Sequence, residues 1–212
     1  MRRTFLDLLT TPAVRAAQER AYGKALATPP AAGIRQTLGP DEAAFIAARD
    51  SFYLASVSES GWPYLQHRGG TPGFLHLLSP TQLLVADYRG NRQLLSTGNI
   101  AAGGRVALFL MDYVARERLK ILGEASELNI ADAQGLAPQM RLPEGVVCER
   151  AFLIEVVAFD WNCPKYITPR FTEDQVLAAV KPLHDEIARL QGLLARLAQT
   201  EERENAAIQS PA

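Results

Sequence analysis

Short apolar or alternating runs fill the middle of the chain, from residue 52 to residue 159. There are seven of them, separated by Gly, Pro, Ser and Asn: FYLASVS, YLQHR, FLHLL, QLLVADY, RVALFLM, RLKILGEASEL and AFLIEVVAF. Runs of this length, bounded by turn residues, are typical of β-strands. Their succession along the chain predicts a mostly antiparallel sheet that closes into a small barrel.

Helices are predicted before, between and after these strands. Thr11-Pro12 and Gly39-Pro40 mark two helix starts, since proline is favoured at the first helical position. Two further helices are expected at about 91–101 and 131–138. The pattern divides the chain into an N-terminal helical segment, a barrel domain, a C-terminal amphipathic helix and a frayed tail, at 1–50, 51–170, 171–205 and 206–212.

The C-terminal forty residues carry a heptad pattern. Apolar residues alternate at spacings of four and three: Val176, Val180, Leu183, Ile187, Leu190, Leu194 and Leu197. Such a seam fits an amphipathic helix that lies on its own barrel, and it fits equally a helix that pairs with a partner subunit. Pro182, inside the run, weakens an uninterrupted coiled coil. Both interpretations stay open.

Composition limits the classes of function. The 212 residues are 48% hydrophobic and carry a net charge of -1, so no global field attracts nucleic acid or an anionic membrane. No apolar run reaches the roughly 18 residues of a membrane span. The apolar patch near the N-terminus is too short for a signal peptide, and two cysteines fit a reducing compartment. We therefore expect a cytoplasmic protein without nucleic-acid or membrane partners.

Basic residues cluster at the ends of neighbouring predicted elements: His67-Arg68, Arg89 with Arg92, and Arg118 with Lys120. The side-chain period of a strand puts Arg118 and Lys120 on one face. Gly90-Asn91 precedes a predicted helix, whose free N–H groups and positive dipole end attract phosphate. The fork of an arginine can hold phosphate oxygens by two parallel bonds. Together these residues predict a local anion site.

Two glycines directly follow the first of these clusters. Glycine weakens a strand and often marks a close approach to the backbone, so Gly69-Gly70 suits a flat aromatic cofactor at a strand end. Structural explanations remain open for single residues. Arg89 can be a solvated surface charge, Arg118 can pair with Glu117 or Glu124, and His67 can be a packed histidine.

The ordered motifs GWPYLQHRGGTPGF, LLVADYRGNRQLLSTGNI, RVALFLMDY, RLKILGEA and WNCPKYITPR resemble those of pyridoxamine 5'-phosphate oxidase-like proteins, an FMN-binding split-barrel family. The resemblance runs from about Phe45 to Phe171. The fold expected is an FMN-binding split β-barrel, mostly β with flanking helices and a long C-terminal helix. The resemblance also implies a homodimer with FMN in two clefts at the subunit interface.

The resemblance implies which residues contact FMN. Arg68 would face the phosphate, with the backbone of Gly69-Gly70 along the ring system. GNRQ stands where the family has Gly-Ser-Arg-Lys, so a glutamine replaces a lysine, and Arg118 falls where the family has a glutamine of the partner subunit. The implied cofactor-binding residues are His67, Arg68, Gly69, Gly70, Asn91, Arg92, Gln93, Arg118, Lys120, Trp161 and Arg170.

The expected function is that of an FMN-dependent oxidoreductase with a small-molecule redox substrate. FMN is favoured over FAD because no glycine-rich dinucleotide fingerprint is present. The oxidases of the family carry an Arg-x-His pair before the late arginine, whereas KYITPR has Tyr166 and Thr168 there, so a substrate other than pyridoxamine phosphate is expected. Two alternatives remain: a non-catalytic flavin-binding or carrier protein, and a haem-binding split-barrel protein. No catalytic residue is predicted.

Overall fold

The computed structural model describes residues 5–26, 35–138, 140, 142, 144–161 and 165–208. By internal contacts the chain falls into two compact units, Met1–Thr168 and Pro169–Ala212. Among the described residues, no helix combines the length and the apolar character that crossing a membrane requires.

The first unit begins with three helices, α1 (Phe5–Leu9), α2 (Pro12–Tyr22) and α3 (Pro40–Ala47). Both predicted helix starts are confirmed. Thr11 caps α2, since its Oγ1 accepts a hydrogen bond from the N–H of Val14 at 3.4 Å. At α3 the carboxylate of Glu42 accepts from the N–H of Gly39 at 2.7 Å.

All seven predicted strands are present, and they form one antiparallel sheet. Four strands precede the helix α4 (Leu95–Gly103), two follow it, and β7 comes after α5 (Ile130–Leu136). The strands are β1 (Ser51–Val57), β2 (Pro63–Gly69), β3 (Leu75–Ser79), β4 (Gln82–Tyr88), β5 (Arg105–Asp112), β6 (Glu117–Asn129) and β7 (Cys148–Trp161). Their order in the sheet is β2-β1-β5-β6-β7-β4-β3.

The sheet curls around the larger of two hydrophobic clusters, so its two ends approach each other. Inward residues from both halves of the sheet, such as Phe52 on β1 and Phe152 on β7, are buried in one cluster. Arg68 on β2 forms an ion pair with Asp87 on β4. Strand β2 is at one end of the sheet and β4 is next to the strand at the other end, so this pair connects the two ends. Side chains rather than a strand ladder hold this seam, which makes the barrel a split one, as predicted.

The helix after β4 starts later than the sequence indicates. A start near Asn91 is wrong, because Arg92 and Leu94 have left-handed backbone with φ of 61° and 55°, and the helix begins only at Leu95. The helix predicted near 131–138 is confirmed as α5.

The second unit consists mainly of one long helix, α6 (Glu173–Ile208), with Pro182 inside it. The predicted C-terminal helix is therefore present. It continues through the first three residues of the segment expected to fray, and the remaining residues, 209–212, lie outside the described part of the chain.

Candidate functional site

A cavity of about 170 Å³ lies at the start of α4, beside the seam between β2 and β4. Three strands, the loop 89–94 and the first turn of α4 contribute to its wall. The lining residues are Tyr64, Gln66, Arg68, Asp87, Tyr88, Arg89, Gly90, Asn91, Arg92, Gln93, Leu94, Leu95, Ser96, Thr97 and Glu149. Four of the predicted cofactor-binding residues are therefore brought together here: Arg68, Asn91, Arg92 and Gln93.

The loop before α4 has a backbone shape suited to anions. Left-handed φ values at Arg92 and Leu94 alternate with ordinary ones at Asn91 and Gln93, and such alternation gathers N–H groups into an anion-binding concavity. The Oδ1 of Asn91 fixes the turn by accepting from the N–H of Gln93 at 3.1 Å. Left-handed backbone costs about 1–2 kcal/mol per residue away from glycine. The loop therefore keeps an unfavourable conformation next to the cavity.

The first turn of α4 also faces this cavity. Its first hydrogen-bonded N–H is that of Gly98, which donates to Leu94 at 2.8 Å. The cap residue Leu94 has no polar side chain, so the N–H groups of residues 95–97 lack the usual side-chain cap. Together with the helix dipole, this helix start attracts negative charge.

Arg68 reaches the cavity because strand alternation puts it on the same side of β2 as Tyr64 and Gln66. Its guanidinium pairs with Asp87 and lies 5.3 Å from the centre of the Phe152 ring. Its Nε is buried and has no hydrogen-bond partner among the residues that the structure describes. A buried donor left without an acceptor is unfavourable, so an acceptor from a ligand would stabilise this arginine.

Charges around the cavity are partly balanced within the protein. Arg89 Nε donates to Glu149 at 2.7 Å, and Arg150 pairs with the same carboxylate at 2.9 Å. The hydrogen bond from Arg89, aided by the charges of Arg150 and Arg92, lowers the pKa of Glu149 below its usual value. Arg89 is therefore paired rather than simply solvated. Within the described ranges Arg92 has no ion pair, which leaves its charge available to a ligand.

Three other predicted residues lie on the opposite face of the sheet. The register places His67, Tyr53, Phe109, Lys120 and Asp160 side by side across five strands. Within this row, the ring of His67 meets Tyr53 edge-on at 5.6 Å, and Lys120 pairs with Asp160 at 2.6 Å. Strand alternation thus separates His67 and Lys120 from the cavity at the start of α4. His67 meets Arg68 and Gly69 only in a smaller cavity of about 130 Å³ at the end of β2.

Arg118 lies on this same face, as the alternation of β6 predicted for Arg118 and Lys120. Its guanidinium is 5.6 Å from the centre of the Phe109 ring. The predicted alternative of a pair with Glu124 is not what the structure shows, because Glu124 pairs with Arg35. The Nε of Arg118 is buried without a hydrogen-bond partner in the described part of the chain.

An apolar groove of about 640 Å³ occupies the middle of this face. Strands β1, β2, β5 and β6 form its floor, and α1 forms one side. The residues that line it are Phe5, Leu9, Tyr53, Ala55, Leu65, Ala107, Leu108, Phe109, Tyr113, Lys120, Ile121 and Leu122. Leu65 is 63% exposed, so this face carries a substantial uncovered apolar surface.

Side chains of the protein itself lie close to Gly69 and Gly70, the two glycines that are predicted to contact the cofactor. A Cβ on Gly70 would lie 2.6 Å from Cγ of Phe74, so the ring of Phe74 already fills the space that a side chain needs. A Cβ on Gly69 would lie 3.2 Å from the ring of His67. Packing against Phe74 therefore explains a glycine at position 70 without a cofactor, and the contact of the Gly69-Gly70 backbone with FMN stays a prediction.

Trp161 does not line this cavity. The indole N–H of Trp161 donates to Glu42 at 2.6 Å, and its ring meets Phe45 edge-on at 4.8 Å. These contacts attach β7 to α3 and give the tryptophan a structural role. Arg170 belongs to the second unit.

Several cavity residues were missed by the sequence analysis. Ser96 and Thr97 were detectable in principle, since these two hydroxyl residues closely follow the motif that is predicted to bind phosphate. Asp87 was not, because its importance depends on the seam that brings it to Arg68. Glu149 lies about 60 residues after Arg89 and reaches it only through the β4–β7 pairing.

Residues 38–142 match the sequence model of the family described as pyridoxamine 5'-phosphate oxidase. The chain belongs to this family. The match spans α3 to α5 and so includes Arg68, the loop 89–94 and the start of α4, while β7 lies beyond it. The resemblance inferred from the motifs is thereby confirmed. No curated protein matches the sequence.

Solved structures with a similar arrangement share little sequence with this oxidase-family chain. HupZ of Group A Streptococcus is 12% identical, with a TM-score of 0.47 over 63% of this chain and 100% of that one. A putative pyridoxamine 5'-phosphate oxidase of Lactobacillus delbrueckii is 17% identical (TM-score 0.45; 58% and 93%). An FMN-binding protein of Syntrophomonas wolfei is 10% identical (TM-score 0.44; 57% and 83%).

Proposed function

We propose that this protein binds FMN and that the phosphate of FMN occupies the cavity at the start of α4. The observation that carries the proposal is the coincidence, in one cavity, of an uncapped helix start and the largely buried guanidinium of Arg68, whose Nε has no partner in the described chain. Both supply N–H donors that need an acceptor. Arg92 adds a charge that forms no ion pair in the described part of the chain, although it lies near enough to Glu149 to lower the pKa of that carboxyl.

The size of the cavity limits which part of the cofactor it holds. Pockets that enclose a whole ligand of drug size have about 300–1,000 Å³, whereas this cavity has about 170 Å³. A terminal phosphate fits, and the rest of FMN has to extend outside. A ligand with its phosphate at one end suits this arrangement better than FAD, whose phosphates lie in the middle of the molecule.

The residues of the chain would bind and orient the cofactor. Bound flavin supplies the redox chemistry, and the protein supplies position and electrostatics. Asp87 holds Arg68 at the seam, Asn91 fixes the turn beneath Arg92, and Thr97 adds a hydroxyl donor at the helix start. The hydroxyl of Ser96 already donates to Gln66 at 2.9 Å. We therefore propose an oxidoreductase that acts on a small-molecule redox substrate.

The substrate is proposed to differ from pyridoxamine 5'-phosphate. Tyr166 and Thr168 stand where the oxidases of the family have the arginine and histidine that grip that substrate. Tyr166 is 92% exposed and has left-handed backbone, with φ of 68°. A phenol offers an anionic group a single O–H donor, whereas the arginine that it replaces offers a charge and five N–H donors.

We also propose that two copies of the chain assemble through the apolar groove on the outer face of the sheet. Its lining is mainly apolar and includes the exposed Leu65. Covering such a surface with the same surface of a second copy gives a closed, two-fold arrangement. Lys120 and Asp160 at one end would give the interface a polar edge.

The test begins with the absorption spectrum of the purified protein and the mass of the released chromophore. A flavin spectrum, release of FMN and saturable rebinding of FMN are expected. An iron-porphyrin spectrum would instead favour the haem-binding alternative. Oxidation of a reduced nicotinamide donor then separates an oxidoreductase from a flavin carrier, since a carrier binds FMN without turnover. Failure of the apoprotein to bind added FMN would refute the proposal.

A further inference from the structure

Helix α6 has an apolar stripe that follows a strict seven-residue repeat over three heptads. Numbering Val180 as position a places the stripe residues at a and d: Val180, Ile187 and Leu194 at a, and Val176, Leu183, Leu190 and Leu197 at d. Six of these seven are between 45% and 66% exposed. The stripe is therefore a regular, largely uncovered apolar face.

The repeat distinguishes between the two partners that the sequence left open. A straight α-helix drifts by about 20° per heptad relative to a seven-residue repeat, so three heptads turn the stripe by about 60°. A helix that lies flat on a sheet would rotate its stripe away from that surface. Two helices that supercoil around each other keep the stripe in contact along its whole length.

We propose that α6 forms a parallel, two-stranded coiled coil with α6 of a second copy of this chain. The side chains at a and d support this number and direction of strands. Val180 and Ile187 at a are β-branched, and Leu183, Leu190 and Leu197 occupy d, whereas Leu194 at a and Val176 at d depart from this pattern. β-Branched residues at a with leucine at d favour parallel dimers.

Polar and helix-weakening residues lie away from this seam. The ion pair of Lys181 with Asp185 at 3.3 Å connects positions b and f. Pro182 and Gly192, which both weaken a helix, fall at c and f. The proline therefore occupies no position in the apolar stripe. Its effect on the backbone falls near the N-terminal end of the stripe, and the part from Leu183 to Leu197 contains no proline.

Charges next to the seam are compatible with an in-register parallel pair. In that arrangement Glu186, at g, faces the partner's Gln191, at e, and no like charges meet. Glu186 is already paired with Arg189 of its own helix at 2.7 Å. The occupant of the stripe is thus the same stripe of a second copy.

Disulfide trapping in the full-length protein tests this arrangement. The native thiols are removed by Cys148→Ser and Cys163→Ser, and single cysteines are introduced as Val180→Cys, Leu197→Cys or, as the control, Asp185→Cys. A parallel in-register pair places each seam residue opposite itself, within the Cα separation of about 4.4–6.8 Å that a disulfide needs. We expect V180C and L197C each to convert to covalent dimer on mild oxidation, while D185C forms no covalent dimer.

Other results would overturn the proposal. In an antiparallel pair, V180C and L197C would cross-link to each other in a mixture of the two proteins and not to themselves. If α6 instead packed its apolar stripe against the barrel of its own chain, all three variants would be equally unreactive. Adding Leu190→Asp to V180C should abolish the cross-link. Flavin binding is not required at any step, so failure here is distinguishable from failure of the FMN proposal.

Discussion

Arg68 and Asp87 form an ion pair between β2 and β4, two strands that are far apart in the order of the sheet. Their side chains are only 11% and 12% exposed. The pair therefore joins the two ends of the sheet with charges that are largely removed from water. It also sets the position of the arginine that we assign to the phosphate, so barrel closure and ligand binding depend on the same contact.

Breaking this pair should destabilise the barrel. We expect Asp87→Asn to lower the free energy of unfolding by about 3–5 kcal/mol, because it leaves a mostly buried guanidinium without its main counter-charge. Asp185→Asn is the matched control, since its pair with Lys181 is exposed and contributes at most about 0.5 kcal/mol. Urea unfolding measures both. Equal losses would mean that the seam pair contributes no more than a surface pair.

The proposed phosphate site should depend on Arg68 and Arg92. We expect alanine at either position to weaken FMN binding by about 1.5–3 kcal/mol, the range for hydrogen bonds to charged groups. Only Arg68→Ala should also reduce stability, because only Arg68 holds the seam. Arg105→Ala, which removes a cation lining neither the cavity nor the groove, is the control. Calorimetric titration that finds parental affinity in both variants would place the phosphate elsewhere.

Gly70 should be required for packing rather than for the cofactor. We expect Gly70→Ala to cost about 1–3 kcal/mol of stability, the usual penalty of overpacking, because the new Cβ would meet the ring of Phe74. Combining it with Phe74→Leu should restore part of the loss. Gly98→Ala, with nothing within 4 Å of the new Cβ, should be neutral or stabilising. A stable G70A protein that loses FMN affinity would restore the cofactor interpretation.

Asp112 should make stability depend on pH in the acid range. Burial alone would raise its pKa, but the hydrogen bond from the N–H of Ala115 and the pair with Arg49 at 2.8 Å hold the pKa below its usual value. A lowered pKa means that the stabilisation is complete above about pH 3.9, the unfolded value, and is lost as pH falls through the folded value.

The measurement compares the parent with Asp112→Asn in urea at a series of pH values. We expect the variant to be less stable near neutral pH and the difference to shrink as the pH falls below about 4. Glu59→Gln, at an exposed turn position, should follow the parent throughout. A constant difference across the series would show that the charge of Asp112 is not the cause.

The protein should be a poor pyridoxamine phosphate oxidase. Without the cationic pair that Tyr166 and Thr168 replace, the substrate loses its orientation, and positioning accounts for about 7 kcal/mol or more of a barrier. An oxygen-coupled assay with pyridoxamine and pyridoxine phosphates measures the rate. Turnover at about 1 per second or faster, a typical enzymatic rate, would show that the two replacements do not matter.

Local pattern was enough to locate the strands and the faces of their side chains. The alternation along β6 correctly placed Arg118 and Lys120 together, because the pleat of a strand depends only on neighbouring residues. The same alternation along β2 puts His67 and Arg68 on opposite faces of the sheet. Applied to the sequence, it would have assigned His67 to the face of Lys120 and Arg68 to the face of the cavity at the start of α4. That consequence was available in the sequence and was missed.

Other features depended on contacts between distant parts of the chain. The partner of Arg89 became visible only when the pairing of β4 with β7 was known. The late start of α4 follows from left-handed backbone at Arg92 and Leu94, residue types that rarely adopt it, so propensity alone gave the wrong boundary. Trp161 is anchored by Glu42, 119 positions earlier in the chain.

The position of β7 has a consequence for the order in which the protein can form during synthesis. This strand lies between β6 and β4, and so it connects the four-stranded part β2-β1-β5-β6 to the hairpin of β3 and β4. The ribosome adds it after all the other strands, and until Trp161 has emerged the nascent chain holds two incomplete sheets. Each exposes apolar surface and unpaired strand edges, which favour aggregation. The last strand made thus completes the barrel, and a chain stopped before it has no route to the cavity described above.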